Sequence, residues 1–335
     1  MVCRKGGIDI NIRAKKFIRG IISAVLILYL LSKISFAELW YIIQFSRLVY
    51  LFLAFFLIVI GVFISSFKWK LLLSIKSARA SYLELVRFYF IGLFFNSIMP
   101  STIGGDVIRG YELSRKYGGK SEIFSSIFME RFTGIIALIS FAIVGFLLET
   151  SKFYSPDIIL ILLLFIGLTI GIIIVLYDKK NIKFFGYFYL PILDMFEKFE
   201  LKNKLERLYD SINDYKNYKS IVLKSLFFSF IFQFFSIIST YIIALALNID
   251  IYIIHFFMFV PIITCISMIP ISIAGLGVRE MSFVYFFTQV DLTASESFMI
   301  SITGFLLVVM VSLMGGLMYL DYARSKLDTE QKRRD

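Results

Sequence analysis

The sequence predicts an all-α, polytopic membrane protein, with about six full spans and two broken, re-entrant helical hairpins arranged as inverted repeats. Three observations carry this expectation. The chain is 59% hydrophobic and only 18% charged over 335 residues, with a mean hydropathy of +0.83, more apolar surface than a water-soluble domain can cover. Runs such as Leu48–Phe67 and Ile158–Tyr177 reach the ~20 residues needed to cross ~30 Å of hydrocarbon as helix. Finally, one helix-breaking motif occurs twice: Pro100-Ser-Thr-Ile-Gly-Gly-Asp-Val-Ile-Arg109 and Pro270-Ile-Ser-Ile-Ala-Gly-Leu-Gly-Val-Arg279. The two match at Pro100/Pro270, Ile103/Ile273, Gly105/Gly275 and Arg109/Arg279, and the register continues through Phe128-Met129 against Phe298-Met299 and Thr133-Gly134 against Thr303-Gly304. Interrupted apolar segments at corresponding places in two halves point to the binding site of a transporter.

In chain order the expected spans are Phe17–Leu31, Leu48–Phe67, Ile123–Leu148, Ile158–Tyr177, Ile221–Leu247 and Ser297–Leu320. Two further apolar units, Tyr82–Tyr111 and Ile253–Thr288, each contain one broken motif. If each broken unit enters and leaves on one side, the basic residues sort. The N-terminal tail, Lys68–Arg79, Arg109–Lys120, the Asp178–Ser220 loop and the C-terminal tail fall inside, and the outside loops keep only Lys33, Arg47 and Lys152. That is the positive-inside pattern, with both termini cytoplasmic in the plasma membrane. The first broken unit then opens from the inside and the second from the outside. The whole chain, 1–335, reads as one transmembrane domain, with repeats at about 48–148 and 221–320, the arrangement that alternating access requires. Residues 178–220 form a cytoplasmic connector. Its Lys183–Lys219 stretch mixes Phe, Tyr and Leu with Lys, Glu and Asp, as an amphipathic helix at the inner surface would.

Other classes are disfavoured. The net charge of +11 sits in short loops between spans, where it sets topology and meets lipid phosphate rather than nucleic acid. Cys3 and Cys265 imply neither a disulfide framework nor a metal site. His255, the sole histidine, has no nucleophile near it in sequence and reads as an interfacial or packing residue. No cleavable signal peptide is evident. No nucleotide-binding loop or metal-ligand cluster is present in the sequence, so no cofactor and no catalytic residue are expected.

The charged groups within apolar segments are Asp106, Arg109, Glu130, Arg131, Arg279 and Glu280. Intramembrane charge is expensive and marks either function or a paired structural site. Pro100 and Pro270 stop a helix because they lack an N–H. Gly104, Gly105, Gly275 and Gly277 permit close approach and unusual dihedrals. Each break leaves unpaired N–H groups at the start of the next half-helix, and these with the positive dipole end suit an anion. Ser101, Thr102 and Ser272 add hydroxyl donors, and Arg109 and Arg279 add the planar fork that fits phosphate. Asp106 and Glu280 could moderate an Arg or carry a coupling proton. Alternatively, Asp106–Arg109 and Glu130/Arg131 only neutralise one another for burial. Arg279 and Glu280, adjacent in sequence, point different ways on a helix and are expected not to pair.

These residues resemble the integral-membrane region of the lysylphosphatidylglycerol synthase family and its stand-alone flippase-like relatives. The resemblance runs through Pro100…Gly104-Gly105-Asp106…Arg109, then Glu130-Arg131, then Pro270…Ser272…Gly275…Gly277…Arg279-Glu280, in that order and over most of the chain. Ala274 departs from the usual Gly, a small change that keeps a close-packed turn possible. The resemblance implies lipid handling. The chain ends at Asp335, soon after its last span, and is expected to lack the soluble domain that makes lysylphosphatidylglycerol. The leading expectation is translocation of a phosphate-bearing lipid, an anionic phospholipid or a polyprenyl phosphate. The alternatives are a membrane glycosyl- or acyl-transferase with Asp106 or Glu280 as its carboxylate, a non-catalytic partner of such an enzyme docking through Lys183–Lys219, and a small-ion or solute carrier.

Overall fold

A computed structural model of the chain describes residues 40, 42, 44–76, 79–99, 104–148, 159–160, 163–167, 169–171, 207, 210–269, 272 and 275–331. Their regular structure is helical, with no strand among the described residues. The principal helices are α1 (Leu48–Leu73), α2 (Tyr82–Ile98), α3 (Gly104–Tyr117), α4 (Lys120–Leu148), α5 (Lys219–Ala246), α6 (Ile253–Ser267), α7 (Val278–Phe287) and α8 (Ala294–Gln331). Four stretches are long and apolar enough to cross a membrane: Leu48–Leu73, Lys120–Leu148, Asp210–Ala246 and Ala294–Ala323. They contain four of the six expected spans, to within a residue at their ends. The expected span Phe17–Leu31, most of Ile158–Tyr177 and most of the 178–220 connector lie outside the described residues, as do Pro100, Ser101, Thr102 and Pro270.

Composition explains why these segments are lipid-facing helices. Along α1 the exposed side chains Val49, Phe52, Phe56, Ile60, Phe63 and Phe67 recur every three or four residues, the stripe of one helical face. The buried face carries Ala54, Val62, Ser65, Ser66, Trp69 and Leu72. α8 begins at a reciprocal cap. Thr293 Oγ1 accepts from the Glu296 N–H at 3.2 Å, and Glu296 Oε2 accepts from the Thr293 N–H at 2.8 Å, satisfying donors that a helix start leaves open.

Both broken units are helix–break–helix. In the first, α2 stops near Met99 and α3 starts at Gly104. A Cβ on Gly92 of α2 would lie 3.1 Å from the Gly105 carbonyl oxygen and 3.2 Å from Arg109 Cδ, and Asn96 accepts from the Gly105 N–H, so the two helices run antiparallel. At their other ends Glu84 takes hydrogen bonds from Lys116 Nζ at 2.7 Å and Tyr117 OH at 2.6 Å. These bonds raise the pKa of both donors above their ordinary values, the Tyr117 shift being helped by partial burial. The chain then turns at Gly118 and Gly119, both at positive φ. In the second unit α6 and α7 fold back similarly: Phe256 and Phe259 meet Phe286 and Phe287 at ring separations of 5.0 to 5.5 Å. His255 stacks on Phe259 within that packing, consistent with a packing residue.

The described residues fall into two compact units. The first gathers those up to Val62, then Arg87–Arg109, then those from Phe234 onward; the second gathers Phe63–Val86 and Gly110–Gln233. In the first, α8 crosses α2 so closely that a Cβ on Gly315 would overlap the Phe90 carbonyl oxygen. Arg87 fixes the crossing by reaching Asp321 at 2.6 Å and the Met318 carbonyl at 3.2 Å. In the second, Tyr215, Ile212, Leu72 and Met129 form one buried cluster, and Lys76 donates to the Ser211 carbonyl at 2.7 Å. Ser211, Ile212 and Tyr215 are therefore packed against α1 and α4, while Lys216, Asn217 and Tyr218, the last residues before α5, are exposed.

Two boundaries differ from expectation. Lys68 belongs to α1, which runs on to Leu73, and not to a loop; the apolar run ends at Phe67, but helix propensity does not. Likewise Arg109 sits within α3 rather than at the edge of a loop.

The α2–α8 crossing predicts a graded response in thermal unfolding of detergent-purified protein. Gly315→Ala should destabilise by about 1–3 kcal/mol through overpacking. Gly304→Ala should be neutral or stabilising, because its Cβ would meet only Ile243 Cδ1 at 3.5 Å.

Candidate functional site

The first compact unit holds both broken motifs, and they are built alike. In the first motif Arg109 is 1% exposed. Its Nε and Nη2 reach Asp106 Oδ1 at 3.0 and 2.9 Å, an i,i+3 pair on α3. Its guanidinium carbon lies 4.4 Å from the centre of the Tyr89 ring on α2, close enough for a cation–π contact. Gly105 makes this possible, since a Cβ there would overlap the Gly92 carbonyl oxygen. Here the glycine serves close approach.

In the second motif the glycines serve backbone shape instead. Gly275 and Gly277 adopt φ of 77° and 85°, the left-handed region that other residues avoid. Gly277 caps α7, and its N–H donates to Glu280 Oε2 at 2.6 Å. Glu280 Oε1 is then held beside Arg279, whose Nε lies 3.0 Å away and whose Nη2 also donates to it. Arg279 further reaches Ser301 Oγ at 3.3 Å and covers the Phe305 ring at 4.6 Å. Its side chain is 21% exposed. Each Arg therefore meets a carboxylate and an aromatic face.

Two expectations need correction. Arg279 and Glu280 do pair, because the cap turns the Glu280 side chain back over the first turn of α7, where the long Arg279 side chain can reach it. The helix starts are also less open than expected. Gly105 N–H is taken by Asn96 Oδ1 at 2.7 Å and Gly277 N–H by Glu280, so one donor of each break is already satisfied by the protein. Ser272, beside the second break, is 2% exposed, and its Oγ has no hydrogen-bond partner among the described residues. Gly104 packs on Met99, 2.5 Å from Sδ to where its Cβ would be.

Glu130 and Arg131 are not part of the unit that holds the two motifs. They belong to the second unit, where Glu130 is buried on α4 and its carbonyl accepts from Lys68 Nζ at 3.2 Å. Tyr89, Gly92, Asn96 and Lys68 were not singled out from sequence. A polar Asn inside Phe94-Phe95-Asn96 and a Gly interrupting an apolar helix are signals that could have found two of them. Among the described residues no three His, Cys, Asp or Glu side chains gather to hold a metal ion.

Asp106→Ala should cost about 3–5 kcal/mol by leaving the Arg109 charge buried without its carboxylate, and Asp106→Ala/Arg109→Met should recover most of that loss. Chemical or thermal unfolding of the two variants beside wild type measures it.

Residues 16–316 match the family model described as the lysylphosphatidylglycerol synthase TM region. Among curated relatives, UPF0104 membrane protein MJ1595 of Methanocaldococcus jannaschii is 26% identical over 70% of this chain and 73% of its own. UPF0104 membrane protein MJ1078 of the same organism is 28% identical over 63% and 86%. UPF0104 membrane protein PH1989 of Pyrococcus horikoshii is 23% identical over 80% and 85%. No solved structure matches. With its apolar helices, its two broken hairpins and a family match across nearly its whole length, the chain is a membrane protein belonging to the lysylphosphatidylglycerol synthase TM region family.

Proposed function

We propose that this protein moves a phosphate-bearing lipid between membrane leaflets by alternating access, as a carrier and not as an enzyme. The observation that carries this is the doubled construction at the breaks: Arg109 with Asp106 and Tyr89, and Arg279 with Glu280 and Phe305. A guanidinium packed against a ring keeps its planar fork ordered, so less entropy is lost when it takes two phosphate oxygens. The nearby carboxylate keeps the site neutral when empty and offers a competing partner when the lipid must leave. Ser272 supplies a hydroxyl, and Ser101 and Thr102 would do so at the first break.

The two sites differ in access, Arg109 being sealed and Arg279 partly open. That asymmetry supports two related halves that open in turn. We place the repeats at about 48–148 and 221–320 as re-entrant hairpins of opposed direction in the plasma membrane, with both termini cytoplasmic. The substrate is an anionic phospholipid or polyprenyl phosphate, and a lipid-modifying enzyme or glycosyltransferase is a natural neighbour.

In proteoliposomes carrying a fluorescent phospholipid, Arg109→Lys and Arg279→Lys should each slow movement between leaflets about tenfold or more, since Lys keeps the charge but loses the bidentate fork. Insertion and yield should be unchanged; wild-type rates in both variants would remove the site from the mechanism. Single cysteines at Ser101→Cys and Ser272→Cys should label from opposite faces of oriented membranes. Labelling of both from one face would refute opposed hairpins.

A further inference from the structure

The second compact unit presents an outer face that joins lysines to aromatic rings at one end of two apolar helices. On α1 the exposed residues Phe63 and Phe67 are followed one turn on by Lys70, also exposed. Tyr82, at the start of α2, packs against all three. Its hydroxyl donates to the Phe63 carbonyl at 3.0 Å, its ring meets Phe67 edge-on at 6.0 Å, and Lys70 Nζ stands 5.9 Å from the ring centre. α5 adds Phe228, whose ring meets Phe67 at 4.9 Å, and the exposed Phe227 beside it.

A second lysine falls at the same level. Lys68 stands by Phe232, Leu72 by Tyr215 and Lys76 by Asp214, so α1 runs forward as the chain through α5 runs back. One turn forward from Phe67 is Lys70, and one turn back from Phe228 is Lys224, exposed as well. Both lysines therefore lie about one turn beyond the Phe67–Phe228 contact, towards the same end. Neither α1 nor α5 contains an Asp or Glu to balance them. Two carboxylates from the adjoining chain are taken: Glu84 by Lys116 and Tyr117, and Asp214 by Lys76.

The face is amphiphilic along its length, with cations at one end and exposed rings behind them. A free anion would use the lysines and leave the rings bare, and a polar peptide would gain little from rings that face hydrocarbon. An anionic lipid matches both parts: its phosphodiester meets cations at headgroup level, and its chains lie on the rings.

We infer that the α1–α5 face holds an anionic phospholipid, its phosphodiester between Lys70 and Lys224 and its acyl chains along Phe63, Phe67 and Phe227. Neither lysine belongs to a broken motif, so the site stands apart from the translocation reading. Its lipid is a resident of one leaflet rather than a passenger between two.

Thermal unfolding of the full chain in neutral detergent tests this with added short-chain phosphatidylglycerol, short-chain phosphatidylcholine, or sodium phosphate, each at an ionic strength matched with sodium chloride. Wild type should be stabilised saturably by phosphatidylglycerol, and not by the other two beyond the chloride control. Lys70→Gln and Lys224→Gln should each weaken the apparent affinity about fivefold, and the double variant by about the product of the two. Arg115→Gln/Lys120→Gln removes the same charge from exposed positions on α3 and α4 and should keep the wild-type affinity. Native mass spectrometry of retained phosphatidylglycerol should give the same ranking without reference to unfolding temperature. An equal loss in the Arg115/Lys120 control would reduce the effect to overall charge. Equal stabilisation by sodium phosphate or phosphatidylcholine would remove the anionic lipid as ligand, and an unchanged affinity in the double variant would place the lipid elsewhere. Any of these results overturns the site.

Discussion

A helix that starts with its first N–H groups buried in protein must find partners for them, since no water is there to take them. That constraint shapes both motifs. In the first, Asn96 reaches across from α2 to take the Gly105 N–H, which obliges α2 and α3 to lie close together. Glycine at 105 is required for the approach, since a Cβ there would overlap the Gly92 carbonyl oxygen, and a Cβ at Gly92 would be tight at 3.1 Å from the Gly105 carbonyl oxygen. In the second, the acceptor comes from within the same helix. Glu280 folds back on the Gly277 N–H, and this demands a left-handed backbone at Gly277. The same requirement is met once across two helices and once within one turn, and each solution dictates its own glycines.

The caps also decide where the arginines go. Glu280 satisfies a backbone donor with one oxygen and holds Arg279 with the other, so cap and ion pair are one object. In the first motif Asn96 accepts from the Gly105 N–H, and Asp106 faces Arg109 from the first turn of α3. Arg109 lies back on Tyr89 of α2, whereas Arg279 lies beside Ser301 and Phe305.

Much of this was legible in the sequence. Apolar run length located the four described spans, and the Pro–Gly–Arg pattern located both breaks, because chain interruption in an apolar segment has few causes. Charge within apolar segments drew attention to Asp106, Arg109, Arg279 and Glu280, now seen as two ion pairs. What escaped notice depended on tertiary neighbours. Adjacent residues on a helix point apart in an ideal projection, so the Arg279–Glu280 pair could be read only once the cap was known. Asn96 acquires its role from Gly105, nine positions on and across a turn. Lys68 was lost because a Lys just after an apolar run is ordinarily the membrane boundary; here α1 carries it inward onto α4, where it meets a backbone carbonyl and an aromatic ring instead of water.

Lys68 also bears on how polar groups are spread through the fold. If the Glu130-Arg131 pair served the same site as the two motifs, one cluster of charge would suffice. The structure instead places Glu130 with Lys68, Thr133 and Gln233 in a different compact unit from Asp106, Arg109, Arg279 and Glu280. Intramembrane charge is retained only where something compensates for its desolvation. In the first unit that compensation is a carboxylate for each Arg. In the second, Lys68 meets the Glu130 carbonyl and the Phe232 ring, so its burial is compensated by a backbone dipole and an aromatic face rather than by water.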